Sequence, residues 1–209
     1  MSNERRDFDK EAAAWDENPV RVKLADDVAA AVARHVPLNA GMDALDLGCG
    51  TGLVTLRLAP RVRSITGVDS SQGMLDVLAA KVARENLTNV KTLRLDLNQG
   101  DRLPGSYHLI VSSMTLHHIE RIDALLVRLH AALLPFGRLC LADLDSEDGQ
   151  FHSDNQGVFH FGFDRAALRQ AFADAGFVSI QDTTAAEVVK PGPDGELLPF
   201  SVFLMTGVK

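Results

Sequence analysis

Three aspartates, three closely spaced glycines and a group of histidines carry the chemistry this sequence could perform. Asp46 precedes Gly48, Gly50 and Gly52 in the run ALDLGCGTGL at 44–53. Residues 44–47 read as a short buried strand, the glycines as a loop that backbone can use to approach a ligand, and 53–59 as the start of a helix. Strand, glycine loop and helix in that order suit a nucleotide-type ligand. The spacing is G-x-G-x-G. In the G-x-G-x-x-G fingerprint of dinucleotide sites the third glycine would fall on Leu53. Asp69 lies seventeen residues past Gly52 and ends a second strand expected over 61–68. A carboxylate there can accept hydrogen bonds from both ribose hydroxyls of an adenosine. Asp96 closes the alternating run 91–97, where it could equally open a turn with Asn98, Gly100 and Pro104. His117 and His118 follow a fourth strand at 107–111, and His152 and His160 stand further on. Histidine is the side chain suited to taking a proton at neutral pH.

The elements that must hold these groups alternate between strand and helix. The stretch 70–85 predicts a helix capped by Ser70 or Ser71, with Met74 on its buried side. A fifth strand is expected at 137–142 after LLPFG, a helix within 163–177 ending at Gly176, and two strands at 178–189 and 198–208 joined by the turn PGPDG. Before the sheet, 10–16 and 19–35 read as helical. In the second of these Val20, Leu24, Val28, Ala31, Val32 and His35 recur at steps of three and four. Asn18 and Pro19 supply the cap and first turn. The stretch 143–160 reads as a long loop with five acidic residues and two histidines, leaving the carboxyl end of the fifth strand.

Taken in order, these segments resemble the class I S-adenosylmethionine-dependent methyltransferases, whose sheet is Rossmann-like. The nearest likeness is to the ubiquinone- and menaquinone-biosynthesis type and related small-molecule methyltransferases. Phe136 stands where the segment before the fifth strand usually has a glycine. The resemblance implies an α/β fold with a seven-stranded mixed sheet of order 3-2-1-4-5-7-6, helices on both faces, and five parallel strands followed by an antiparallel hairpin. It implies S-adenosyl-L-methionine as cofactor. Asp46, Gly48, Cys49, Gly50 and Gly52 would hold its methionine portion and Asp69 with Ser70 its ribose. Met74, Asp96 and the backbone N–H of Leu97 would meet the adenine, and Ser112 the sulfonium. It also implies an N-terminal helical lid within 1–36, with Phe8 and Trp15 as its aromatic residues. Where the acceptor needs a base, His117 is the first candidate and His160 the second, with His118 and His152 behind them.

Composition narrows the classes. A chain of 209 residues with 46% hydrophobic and 23% charged side chains is expected to form one domain over 1–209. The net charge of −7 disfavours a phosphate backbone as partner, and Arg57, Arg61 and Arg63 read as a solvated corner. The Asn-Pro-Pro or Asp-Pro-Pro motif of base and glutamine methylation is absent after the fourth strand, where the chain reads VSSM. No apolar run is long enough for a membrane span, and the polar N-terminus lacks an apolar signal core. Cys49 and Cys140 suit a reduced cytoplasm better than a disulfide and do not have zinc spacing. The expectation is therefore a cytoplasmic methyltransferase with a small-molecule acceptor, no nucleic-acid partner and no metal. The alternatives are a nicotinamide-dependent oxidoreductase, opposed by the glycine spacing, and a non-catalytic module that keeps the cofactor fold.

Overall fold

The computed structural model describes residues 7–97, 102–192 and 195–209. Seven strands form one sheet in the order β3-β2-β1-β4-β5-β7-β6. They are β1 (Asp43–Leu47), β2 (Ser64–Asp69), β3 (Val90–Arg94), β4 (Tyr107–Ser113), β5 (Leu133–Leu144), β6 (Val178–Pro191) and β7 (Leu197–Val208). The first five are parallel, and β7 runs antiparallel to both β5 and β6.

Helices cover both faces because the central strands are apolar on both sides. Ala44, Ile65, Leu109 and Val111 point into one layer, where α2 (Pro19–His35), α3 (Leu53–Leu58) and α4 (Gln72–Arg84) bury Val28, Val32, Leu58 and Leu78. Leu45, Leu47, Val68 and Ile110 point into the other. There α5 (Ile122–Ala132) and α6 (Arg165–Asp174) contribute Leu126, Leu129, Leu168 and Phe172. Burying one such side chain contributes about 1.5–3 kcal/mol, so the strands are held in place from both layers.

Caps set the helix boundaries. The Asn18 side chain accepts from Val20 N–H with Pro19 at the first position, Ser71 accepts from Met74 N–H, and Asp164 accepts from Ala167 N–H. The cap of α4 is thus Ser71 and not Ser70. Several boundaries move from the sequence-based expectation, and three of them bear on the site. The second strand begins at Ser64, because 59–61 form a 3-10 turn. The third ends at Arg94, so Asp96 lies in the loop after it. The fifth is longer at both ends, from Leu133 to Leu144. Phe136, where the resembling proteins place a glycine, takes φ +64° and is solvent-exposed. The turn expected at Asn98 and Gly100 falls outside the described residues, as does the middle of PGPDG.

At the N-terminus α1 (Phe8–Glu11) is a single turn, followed by a 3-10 turn, Ala12–Glu17. This segment lies against the carboxyl edge of the sheet. Asp9 accepts from Ser71 Oγ at 2.6 Å and Gly73 N–H at 2.7 Å, and Asp16 accepts from Thr51 Oγ1 at 2.5 Å and pairs with Lys81. Arg57 pairs with Asp26 and Arg63 with Asp43, as a solvated corner would. Among the described residues no helix is long and apolar enough to cross a membrane.

Candidate functional site

A cleft of about 530 Å³ opens along the carboxyl ends of β1, β2 and β4. That is where an open α/β sheet reverses its winding and leaves space for a ligand. Asp46, Gly48, Cys49, Gly50, Asp69, Ser70, Met74, Asp96 and Leu97 all line it. They come from the ends of β1, β2 and β3, the loops that follow them and, for Met74, the first turn of α4.

Asp69 is the best-defined member of this group. Its Oδ2 accepts from Gly50 N–H at 2.8 Å and its Oδ1 from Ser71 N–H at 2.9 Å. The carboxylate thereby ties the glycine loop to the start of α4. Burial pushes its pKa up, and the two backbone donors oppose that rise. Asp46 sits deeper. Its Oδ2 accepts from the buried Thr55 Oγ1 at 2.5 Å, and burial, aided by the negative charge of Asp69, pushes its pKa up to about 7. Leu97 is fixed through its carbonyl, which accepts from Arg128 Nη1 at 3.1 Å. The Cys49 thiol is buried and held well above its ordinary pKa by that burial, so it is no nucleophile.

The glycines divide their work. A Cβ on Gly50 would meet nothing nearer than the Met74 sulfur at 4.0 Å, so that backbone faces open cleft. Gly52 is different. It takes φ +84°, and a Cβ there would lie 2.3 Å from Leu78 Cδ1. It does not line the cleft; it lets α3 and α4 close up beneath the loop. Gly52→Ala is expected to destabilise the fold by about 2–5 kcal/mol, from backbone strain and overpacking together. Urea denaturation measures this, and an unchanged midpoint would remove the packing role.

Two other expected positions, Ser112 and His160, also lie away from the cleft lining. Ser112 is buried and donates its hydroxyl to the Leu47 carbonyl at 2.8 Å, because strand alternation turns it into the sheet. Its neighbours Ser113, Met114 and Thr115 line the cleft instead. His160 donates from Nε2 to the Ile119 carbonyl at 2.9 Å and does not reach the cleft. It fastens the long loop to the turn after β4, as Phe159 N–H does by donating to the His117 carbonyl at 2.8 Å.

His117, His118 and His152 do line the cleft. The first two occupy a 3-10 turn, Leu116–His118. The His117 and His118 rings lie 4.2 Å apart, and the His117 and His152 rings 4.9 Å apart. His117 Nδ1 is 2.7 Å from Asp143 Oδ1, and both side chains are buried. Burial pushes the Asp143 carboxyl up. The His117 ring, with the N–H groups of Leu144 and His117, more than offsets this and holds it below its ordinary value. The pair therefore fixes the ring orientation and leaves Nε2 as the nitrogen able to meet a cleft ligand. Asp143 was expected to begin a loop, but it lies inside β5. The available signal was a carboxylate at the end of a strand, as at Asp69. Among the described residues no group of three or more His, Cys, Asp and Glu is arranged to hold a metal ion.

The long loop after β5 and the N-terminal segment both reach the cleft. Phe151, His152 and Ser153 line it from one, Phe8 and Trp15 from the other. The Phe8 ring stands edge-on to both Trp15 and His118.

Residues 44–137 match the family described as "Methyltransferase domain". An uncharacterised methyltransferase of Schizosaccharomyces pombe is 34% identical over 138 residues, which is 59% of this chain and 49% of that protein. The trans-aconitate 2-methyltransferase of Paracidovorax citrulli is 32% identical over 147 residues, 69% of this chain and 53% of that protein. The chain thus spans about half the length of these curated relatives. The complex between the Haloferax volcanii Trm112 methyltransferase activator and a methyltransferase contains a chain of the same fold. It matches with a TM-score of 0.76 and 20% identity, over 98% of both chains. The fold, the strand order and the domain match lead to one assignment: the chain carries a methyltransferase domain over residues 44–137, and its sheet has the fold of solved methyltransferases.

Proposed function

We propose that the protein is an enzyme that transfers the methyl group of S-adenosylmethionine to a hydroxyl of a small-molecule acceptor. The observation that carries this is one continuous cleft: a glycine loop and the Asp69 carboxylate at one end, the His117–Asp143 pair at the other. The residues present fit the cofactor, since Gly50 presents open backbone and Asp69 a buried carboxylate beside it. Asp69 and Ser70 would hold the ribose, Met74, Asp96 and Leu97 the adenine, and Asp46 with Gly48, Cys49 and Gly50 the methionine portion. When bound, the cofactor would supply an activated methyl group, with its sulfur as the leaving atom. The chain's part is to align the two reactants and exclude water. His117 Nε2 takes the proton that the acceptor hydroxyl loses and returns it to solvent, while Asp143 holds the ring and stabilises its charged form. The N-terminal segment and the long loop close the cleft from above.

Calorimetry tests this reading. S-adenosylmethionine and its demethylated product are expected to bind in the micromolar range, about −7 to −8 kcal/mol. No heat with either, and binding of a nicotinamide dinucleotide instead, would overturn it. A metabolite screen with labelled methyl donor then reads the acceptor.

The buried Asp46 adds a pH-dependent expectation. Its carboxyl titrates near 3.8 when ordinary and at about 7 in the fold. Its contribution to stability is therefore full at low pH and falls as pH rises through that interval, reaching a constant level above it. A cationic ligand held beside Asp46 favours the ionised form, so cofactor binding at pH 6 should release a proton. Titrations in buffers of different ionisation enthalpy would show this, and Asp46→Asn should abolish it. Binding heats independent of the buffer would remove Asp46 from contact with the cofactor's charge.

A further inference from the structure

We infer that the acceptor is a small carboxylic acid with a flat apolar body, its carboxylate docked on Arg21 and Lys190 and its hydroxyl facing His117; this rests on the methyltransferase reading above. The cleft separates its charges. Its carboxylates, Asp46, Asp69 and Asp96, stand at the ends of β1, β2 and β3, in the half assigned to the cofactor. The lysine and arginine that line it, Arg21 and Lys190, come from the first turn of α2 and the end of β6. These two elements pack against each other, and aromatic rings link each cation to a histidine: Trp15 and Phe8 link Arg21 to His118, and Phe151 links Lys190 to His152.

Each cation rests on an aromatic face. The Arg21 guanidinium lies 3.7 Å from the Trp15 ring centroid and the Lys190 ammonium 3.8 Å from that of Phe151. Ring faces orient a cation without neutralising it. Both also have protein partners: Glu11 stands 3.6 Å from Arg21, and Lys190 donates to the Phe151 carbonyl. A ligand carboxylate would join these groups, since a guanidinium has five N–H donors and an ammonium three. Phe8, Trp15 and Phe151 provide flat apolar walls around the same space. The rings of Phe151 and His152 stand in succession between Lys190 and His117. The anion site and the base are therefore neighbours but not one spot, and the carboxylate is the handle while another group receives the methyl. A cationic end in a partly desolvated cleft attracts an acid and rejects its neutral analogue.

The test uses the full chain saturated with S-adenosylhomocysteine. Benzoate, 4-hydroxybenzoate and 2-hydroxybenzoate are titrated against the matching amides, following Trp15 fluorescence and calorimetric heat. At least one acid should bind about tenfold or more tighter than its amide, with an affinity that falls as salt rises. Arg21→Gln and Lys190→Gln should each weaken that acid about tenfold and leave S-adenosylhomocysteine binding within about twofold. Amides binding as well as their acids, acids binding the double variant unchanged, or no acid binding at all would each overturn the inference and leave the methyltransferase reading standing. Failure of S-adenosylhomocysteine itself to bind would overturn both.

Discussion

Replacing Asp69 with alanine is expected to weaken S-adenosylmethionine binding by about 2–4 kcal/mol, roughly 30- to 1,000-fold in Kd. Two ribose hydroxyls would lose a charged acceptor in a site from which water is largely removed. The same change releases Gly50 and Ser71 from the carboxylate that joins them, so the glycine loop loses its tie to α4. Asp69→Asn separates the two effects. It keeps the shape and an acceptor oxygen but not the charge, so it should fall between wild type and alanine in affinity while unfolding near the wild-type temperature. Calorimetry and a thermal melt of both variants measure this. Normal cofactor affinity in Asp69→Ala would mean that the carboxylate does not hold the ribose.

The second large effect is expected at the other end of the cleft. His117→Ala should lower kcat by about 10²–10⁴-fold, the usual contribution of a positioned base, and leave cofactor affinity unchanged. Asp143→Asn should cost nearly as much, although Asp143 meets no ligand. Its side-chain amide can donate to Nδ1, which moves the ring proton to Nε2 and removes the lone pair that would take the acceptor's proton. The two losses should not add, because the residues act as one unit. Single-turnover rates with labelled donor, once an acceptor is in hand, measure all three variants. Additive losses, or full activity in His117→Ala, would assign the pair to structure alone.

What could be read from the sequence was local. The glycine loop, the aspartates at 46, 69 and 96, and the helix starts at Asn18 and Ser71 are fixed by backbone stereochemistry and by groups a few residues apart. Strand and helix alternate with periods visible in any short window, so the architecture was legible as well. The strand order came from resemblance, because nothing within a short window states which strands are neighbours.

Tertiary structure decided the rest. Ser112 and Ser113 are chemically alike, yet only the pairing of β4 with β1 and β5 turns the first to the Leu47 carbonyl and the second to the cleft. Asp143 looked like the first residue of a loop. It became the partner of His117 because parallel pairing of β4 with β5 aligns Ser113 with Ala142 and brings two strand ends together. His152 and His160 lie in one loop of similar composition, and its fastening to Ile119 and His117 sends one ring to the cleft and uses the other as an anchor. Arg21 and Lys190 stand at opposite ends of the sequence, and no spacing rule joins them. The packing of α2 on β6 does. Residues that shape backbone speak through neighbours in the chain, whereas residues that share a cleft meet only after the sheet has set their register.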